Sequence, residues 1–483
     1  MLRAPSLVRA TAASAVTRPS RRVASSRLFS SSAPWSKQKL VILGSGWGGY
    51  EVLRKVDKAR YDVTVIGPNT YFAFTPLLAS AAVGTIDFNS ALEPVRKFRQ
   101  ANYLQAWCDQ IDLGRKRLTC MPATGSSMRK RFNQNIDKEP ELKELSPAVS
   151  FPGYKPFEIK YDKLVIAVGA YSQTFGIPGV KEHAYFLKDI RDSAKIRARI
   201  LECFELASQP TVTDDERRDL LNFVIVGGGP TGVEFAGELH DFLTTDLERA
   251  YPQLTPMARI TIYDTAKGIL GTFDENLAKY ATEKFDREGI QIKASHHVTA
   301  VHEGYIEVKE EGKVNHGLLV WSTGLAQNPL IESVGELQKD ERTGSLLINE
   351  EFNPMDKDGE LNKDVFVIGD CSALKEKLPA TAQVASQEAH WLAKILNAQV
   401  RNRDPPGPFA YNNKGAMAYI GGWNALVDRS KADKGPTGEL TGKAAWLAWR
   451  GAYWSQAMSM RNRISLVYHW FTTWLLGRRL TRF

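Results

Sequence analysis

Gly44-Ser45-Gly46-Trp47-Gly48-Gly49 and Gly227-Gly228-Gly229-Pro230-Thr231-Gly232 decide the fold of this chain. Each closes a short apolar run, Leu40-Val41-Ile42-Leu43 in the first case and Phe223-Val224-Ile225-Val226 in the second, and each opens a helix. Strand, glycine loop and helix in that order make a dinucleotide-binding turn. The glycines allow a sharp bend and close approach to a pyrophosphate, whose charge the helix N-terminus stabilises. One such loop is a weak sign. Two in one chain, about 180 residues apart, point to two nucleotide cofactors that exchange electrons.

Working outward, each loop belongs to a βαβ unit. The first continues through strand Val63-Thr64-Val65-Ile66 and, later, Leu164-Val165-Ile166-Ala167-Val168, which ends in Gly169-Ala170. The second has a helix from near Thr231, strand Ile260-Thr261-Ile262-Tyr263, and Leu318-Leu319-Val320-Trp321 ending in Ser322-Thr323-Gly324. One more strand, Val365-Phe366-Val367-Ile368, ends in Gly369-Asp370. The halves echo each other. The expected fold is therefore α/β, with two Rossmann-like dinucleotide-binding domains, the second inserted in the first and the chain returning at Val365. The polar stretch at 121–160 reads as an excursion, and 211–219 as a charged lead-in to the second unit.

The chain has 483 residues and a formal net charge of +9, with room for two or three domains. The charge is unevenly placed. Residues 1–39 hold 8 Lys/Arg and residues 443–483 hold 7, neither with an acid, so residues 40–442 carry −6. A mildly acidic body excludes a duplex-binding role, and no nucleic-acid partner is expected. The Arg-, Ser- and Ala-rich residues 1–36 fit a mitochondrial presequence, cut near Arg27-Leu28-Phe29. No apolar run reaches the ~18 residues of a membrane span. Cys108, Cys120, Cys203 and Cys371 lack the spacing of a redox-active disulfide or a thiolate metal site.

The loops, together with Tyr71-Phe72-Ala73-Phe74-Thr75-Pro76-Leu77-Leu78, Thr174-Phe175-Gly176-Ile177-Pro178-Gly179-Val180, Ile368-Gly369-Asp370-Cys371, Pro379-Ala380-Thr381-Ala382-Gln383-Val384-Ala385-Ser386-Gln387 and Ala418-Tyr419-Ile420-Gly421, resemble the two-dinucleotide-binding-domain flavoproteins. That group contains glutathione reductase and the type II NADH dehydrogenases. The resemblance runs from about residue 38 to the C-terminus and is closest to the mitochondrial rotenone-insensitive NADH:ubiquinone oxidoreductases of fungi and plants. It implies FAD on the first loop (Gly44, Gly46, Gly49) and NADH on the second (Gly227, Gly229, Gly232). The expected organisation is presequence 1–36, FAD-binding domain 37–190 and 337–400, NADH-binding domain 191–336, and a C-terminal region at 401–483 for membrane association and dimerisation.

Chemistry attaches to a few more residues. Asp264, after Ile260-Thr261-Ile262-Tyr263, stands where a carboxylate accepts from a ribose 2′-hydroxyl and repels a 2′-phosphate, favouring NADH. The first unit departs from that rule, its second strand running into Gly67-Pro68-Asn69. The resemblance implies that Asp370 holds the flavin ribityl chain. It also implies that Gln383 and Gln387, one helical turn apart, lie beside the flavin where quinone arrives. Their helix, starting near Thr381, would aim its positive end at the flavin. Ser386 replaces a His common in close relatives. Glu234, taken to lie in the first turn after the second loop, reads as a dipole-favourable acid; the resemblance implies a carboxylate near the nicotinamide–flavin contact, a candidate proton relay, and the two readings are compatible. Thr75 and Gly324 suit packing against flat cofactor rings, a side chain at Gly324 obstructing NADH.

The tail holds Trp446, Trp449, Trp454, Trp470 and Trp474, with Ile464, Val467, Tyr468, Phe471 and Leu475 at helical spacing and Arg461, Arg463, Arg478 and Arg479 flanking them. Such a helix lies in a bilayer interface rather than crossing it. The expected protein is thus a non-proton-pumping NADH:ubiquinone oxidoreductase bound peripherally to the mitochondrial inner membrane, a homodimer by resemblance. The matrix face is favoured, since neither the transmembrane segment nor the calcium-binding insertion of external-type relatives is seen. The rivals are a disulfide, ferredoxin or sulfide:quinone reductase of the same fold, and an NADH-sensing flavoprotein like apoptosis-inducing factor that acts through partner binding.

Overall fold

The computed structural model describes residues 37–123 and 155–481. The presequence expected at 1–36 and most of the polar excursion lie outside the described residues. Two sheets organise the chain. The first runs Val365–Val367, Lys163–Ile166, Gln38–Leu43, Tyr61–Gly67, Ala101–Asp112, Arg117–Pro122, Phe157–Lys160 in spatial order, its first five strands parallel and its last two added antiparallel. The second is wholly parallel: Tyr185–Phe186, Leu318–Trp321, Asn222–Val226, Arg259–Asp264, Gln291–Ala294. Val365 returns to pair with Leu164 in the first sheet, so the second domain is inserted in the first, as the sequence implies.

Apolar runs form these strands because both faces are covered. Leu40 to Leu43 are at most 1 % exposed, as parallel strands roofed by helices require. Six helices matter to the site: α1 (Trp47–Lys55), α2 (Ile190–Ala207), α3 (Pro230–Phe242), α4 (Ala382–Gln399), α5 (Gly442–Gln456) and α6 (Met460–Leu476). α1 and α4 pack together on the first sheet.

The chain passes between the domains at a two-stranded antiparallel link, Ala170–Ser172 against Leu325–Gln327. These strands follow Gly169 and Gly324, the glycines that end the central strands of the two halves. Tyr185–Phe186 already belongs to the second sheet, ahead of the boundary expected at 191; a two-residue strand has no periodicity to read.

Beyond α4, a small antiparallel sheet (Ala416–Tyr419, Ala425–Asp428, Glu439–Thr441) carries α5, and α6 packs against α5 and the turn Phe88–Ala91. Among the described residues no helix is long and apolar enough to cross a membrane.

Candidate active site

The three glycines of each loop have separate jobs. Gly44 (φ +100°) and Gly227 (φ +115°) adopt backbone that side chains rarely allow, and a Cβ would stand 2.2 Å from the Ala167 carbonyl oxygen and 2.7 Å from that of Ser322. At Gly49 and Gly232 a Cβ would fall 2.0 Å from the carbonyl oxygens of Gly44 and Gly227, so glycine there lets helix meet strand. At Gly46 and Gly229 nothing beyond the chain's own adjacent backbone stands within 4 Å of that position. Each is also the N-cap of its helix, with neither a side-chain cap nor an acid in the first turn. The backbone donors at both N-termini are therefore left to an outside anion.

The strand ends supply carboxylates. Asp264 Oδ2 accepts the Gly228 N–H at 2.5 Å and Oδ1 that of Ala266 at 2.7 Å, which places it against the second loop. Asp370 sits at the end of Val365–Val367, where Lys188 faces it; burial pushes the Asp370 carboxyl up and the Lys188 ammonium down, and each opposes the other's shift. Lys188 Nζ donates to the Ala170 carbonyl at 3.2 Å, so Lys188, Ala170 and Asp370 share one crevice. The turn at Gly67-Pro68-Asn69 is bound by a carboxylate from far along the chain. Asp189, N-cap of α2, accepts from Asn69 Nδ2 (3.1 Å), Tyr71 OH (2.8 Å) and Arg191 Nε (2.9 Å). Lys188 and Asp189 were not among the residues singled out from sequence. Asp189 lies 120 residues from Asn69, and nothing local announces it. Thr75 is tied to the first loop, its Oγ1 accepting from Trp47 Nε1 at 3.0 Å.

Helix α4 begins where its N-cap predicts, the Thr381 hydroxyl accepting from the Val384 N–H. Gln383 and Gln387 share a face, and that face is engaged by the segment 411–415. Gln383 Oε1 accepts from Lys414 N–H (2.8 Å) and Tyr411 OH (3.1 Å), its Nε2 donates to Gly415 O (3.2 Å), and Gln387 exchanges two bonds with the Asn412 backbone at 2.9 and 3.0 Å. Their neighbour Glu388 accepts the Gly369 N–H at 2.6 Å. The pair therefore stands beside the Asp370 turn, and Glu388, pushed up to about 7 by burial, fastens helix to turn.

Glu234 is the fifth residue of α3, just past the expected first turn, which weakens its reading as a helix-dipole acid. Its Oε1 accepts from the Tyr419 N–H at 3.2 Å and from Trp449 Nε1 at 3.3 Å. Protein surrounds the carboxyl although part of the residue's surface stays open, and desolvation pushes its pKa up to about 8. A Cβ on Gly324 would lie 3.6 Å from Gln173 and Phe175. The protein thus leaves room for alanine, and only a ligand would make glycine necessary.

All four cysteines are free. Cys108 and Cys120 are nonetheless cross-strand partners, a proximity that their spacing hides. The Cys120 hydrogen bond, then burial, pushes the Cys108 thiol well above its usual range, so it stays protonated at neutral pH.

Two open-faced glycine loops, two uncapped helix N-termini and a carboxylate near each fit two dinucleotides, and so define an oxidoreductase that binds a pair of them. The chain belongs to the pyridine nucleotide-disulphide oxidoreductase family, which matches residues 38–389, and residues 413–479 match the NDH2 C-terminal domain. It is 38% identical to a probable NADH dehydrogenase of Dictyostelium discoideum, over 92% of this chain and 91% of that one. It is 34% identical to the mitochondrial external NADH-ubiquinone oxidoreductase 2 of Saccharomyces cerevisiae, over 95% and 85%. The solved structure of NDH2 from Plasmodium falciparum in complex with NADH superposes with a TM-score of 0.80 at 26% identity, covering 92% of this chain and all of that one.

Proposed function

We propose that this chain is a type II NADH:ubiquinone oxidoreductase of the mitochondrial inner membrane, bound peripherally, that does not pump protons. FAD bound on the first loop would supply the redox chemistry, as acceptor of a hydride from NADH and donor of two electrons to ubiquinone. The protein positions and tunes. The first loop, Thr75, Asp370 and Lys188 would hold the flavin nucleotide, and the second loop and Asp264 would hold NADH. Gln383 and Gln387 fix the segment 411–415 beside the Asp370 turn, on the side from which quinone would come. Glu234, whose desolvated carboxyl has a raised proton affinity, would hold a proton for the acceptor.

One observation carries this reading: parts of both nucleotide domains abut the same C-terminal helix. Phe74, next to Thr75, lies 6.0 Å from Tyr453 of α5, and Trp449 of α5 reaches Glu234 of the second domain. Behind α5, α6 turns Ile464, Val467, Tyr468, Phe471, Trp474 and Leu475 to solvent. Such a face supports contact with lipid, where ubiquinone resides, with roughly 1 kcal/mol added per cation near an anionic surface. The basic, acid-free N-terminus supports mitochondrial delivery. We place the enzyme on the matrix face as a homodimer, checked by protease protection in mitoplasts and by light scattering. The apoptosis-inducing-factor-like alternative draws no support from the relatives described.

The test is a Gln383→Ala/Gln387→Ala double variant of the flavin-loaded protein in liposomes. NADH should still bleach the flavin absorbance while turnover with ubiquinone falls at least tenfold and no pH gradient forms in either protein. Undiminished ubiquinone turnover removes the quinone assignment, and a purified protein without flavin colour removes the whole reading.

A further inference from the structure

Helix α5 has two faces. Ala445, Trp449 and Tyr453, spaced by four, look inward. Ala445 and Trp449 are buried, and the Trp449 ring lies 5.5 Å from that of Tyr419 and 4.9 Å from that of Tyr453. Leu447 and Trp454 on the outer face are exposed, alongside the bare apolar stripe of α6. The inner face ends on Glu234, where the Trp449 indole and the Tyr419 N–H donate to the same carboxyl oxygen. One helix therefore joins the surface turned to lipid to an acid in the second domain.

We propose that Trp449 is a positioning residue: through its indole N–H, the helix beneath the lipid-facing surface orients the Glu234 carboxyl and governs its proton affinity. The inference rests on the acid–base role proposed for Glu234. Among charged groups, Glu238, a turn along α3, faces Glu234 and raises its proton affinity. From α5 comes the Tyr453 side chain. From the strand Ala416–Tyr419 comes only a backbone N–H, since the Tyr419 hydroxyl is committed to Asp241. Arg450 and Arg478 act on Glu238. An indole donor can give but not accept, so it favours the ionised carboxyl. Its loss should therefore raise the proton affinity, by about one pH unit for a bond to a charged acceptor.

The experiment compares wild type, Trp449→Phe and Glu234→Gln as full-length, flavin-loaded proteins in liposomes. Two readouts are followed: the pH profile of ubiquinone reduction, and the infrared carboxylic C=O band that disappears in Glu234→Gln. In Trp449→Phe the band's titration midpoint and the corresponding limb of the rate profile should both move up by about one unit. A band midpoint that coincides with wild type overturns the role of Trp449. A Glu234→Gln protein with the wild-type pH profile overturns instead the acid–base role beneath it. Should the Phe variant lose its flavin, benzothienylalanine at position 449, which keeps the ring volume and lacks the N–H, gives the same comparison under the same criterion.

Discussion

Asp264 and Asp189 each tie a turn after a second strand, and they differ in how they can be found. Asp264 ends its strand, so a carboxylate against the second loop is legible in the chain. Asp189 is locally marked only as the N-cap of α2, in a capping box with Asp192; its bonds to Asn69 and Tyr71 come from the way α2 folds back, which no local pattern shows. Asp264→Asn keeps a polar group but loses the charge that accepts from Gly228 and Ala266. It should raise the KM for NADH roughly ten- to hundredfold, as expected for a lost charge-assisted bond, with a smaller change in kcat, and it should narrow the preference over NADPH. Steady-state kinetics with both nucleotides checks it. Glu234 and Glu388 make a second prediction. Their folded pKa values, about 8 and about 7, lie above the ordinary 4.5, so the folded chain holds protons that the unfolded chain releases. That contribution is full below about pH 4.5 and is lost as pH rises through about 7 and 8. The thermal midpoint should decline over that window, and Glu388→Gln should flatten the decline.

The glycine-loop helices and their strands were legible as elements because a loop, a cap and an apolar run are local signals. α4 was legible too, down to its Thr381 cap. What its glutamines touch was not, since the segment 411–415 that binds them arrives from beyond the helix. α6 shows the limit differently. Periodicity marks an apolar stripe, yet Leu466 and Trp470 are buried while Ile464, at 66% exposure, and Phe471, at 56%, are bare. The helix is apolar on two faces, one for the protein and one outward. Ile464→Glu/Phe471→Glu alters only the outer face. Flotation with anionic liposomes should fall at least tenfold, while the melting temperature and bleaching of the flavin by NADH change little. Undiminished flotation would mean that this face meets something other than lipid.

At the scale of the molecule, the two nucleotide domains and the tail meet on one guanidinium. A π turn, Leu243–Leu247, follows α3 and carries Asp246. Arg478, just past α6, donates to Asp246 from its backbone (2.8 Å) and from Nη1 (2.7 Å), lies 3.6 Å from Glu238, and donates through Nε to Thr85 of the first domain at 3.1 Å. Thr85 and Ser80 in turn donate to Glu238 at 2.7 and 2.5 Å. The three charged side chains are 5–7% exposed, so water cannot replace a missing partner. Desolvation opposes the Arg478 charge, but Glu238 and Asp246 outweigh it. Arg478→Met keeps the stem and strands two buried carboxylates, which should destabilise the protein by about 3–5 kcal/mol and open the tail to protease before the nucleotide domains unfold. Adding Asp246→Asn removes one stranded charge and should recover part of that loss. A single variant that melts with wild type would mean that apolar packing alone, through Leu466 and Trp470, seats the C-terminal helices.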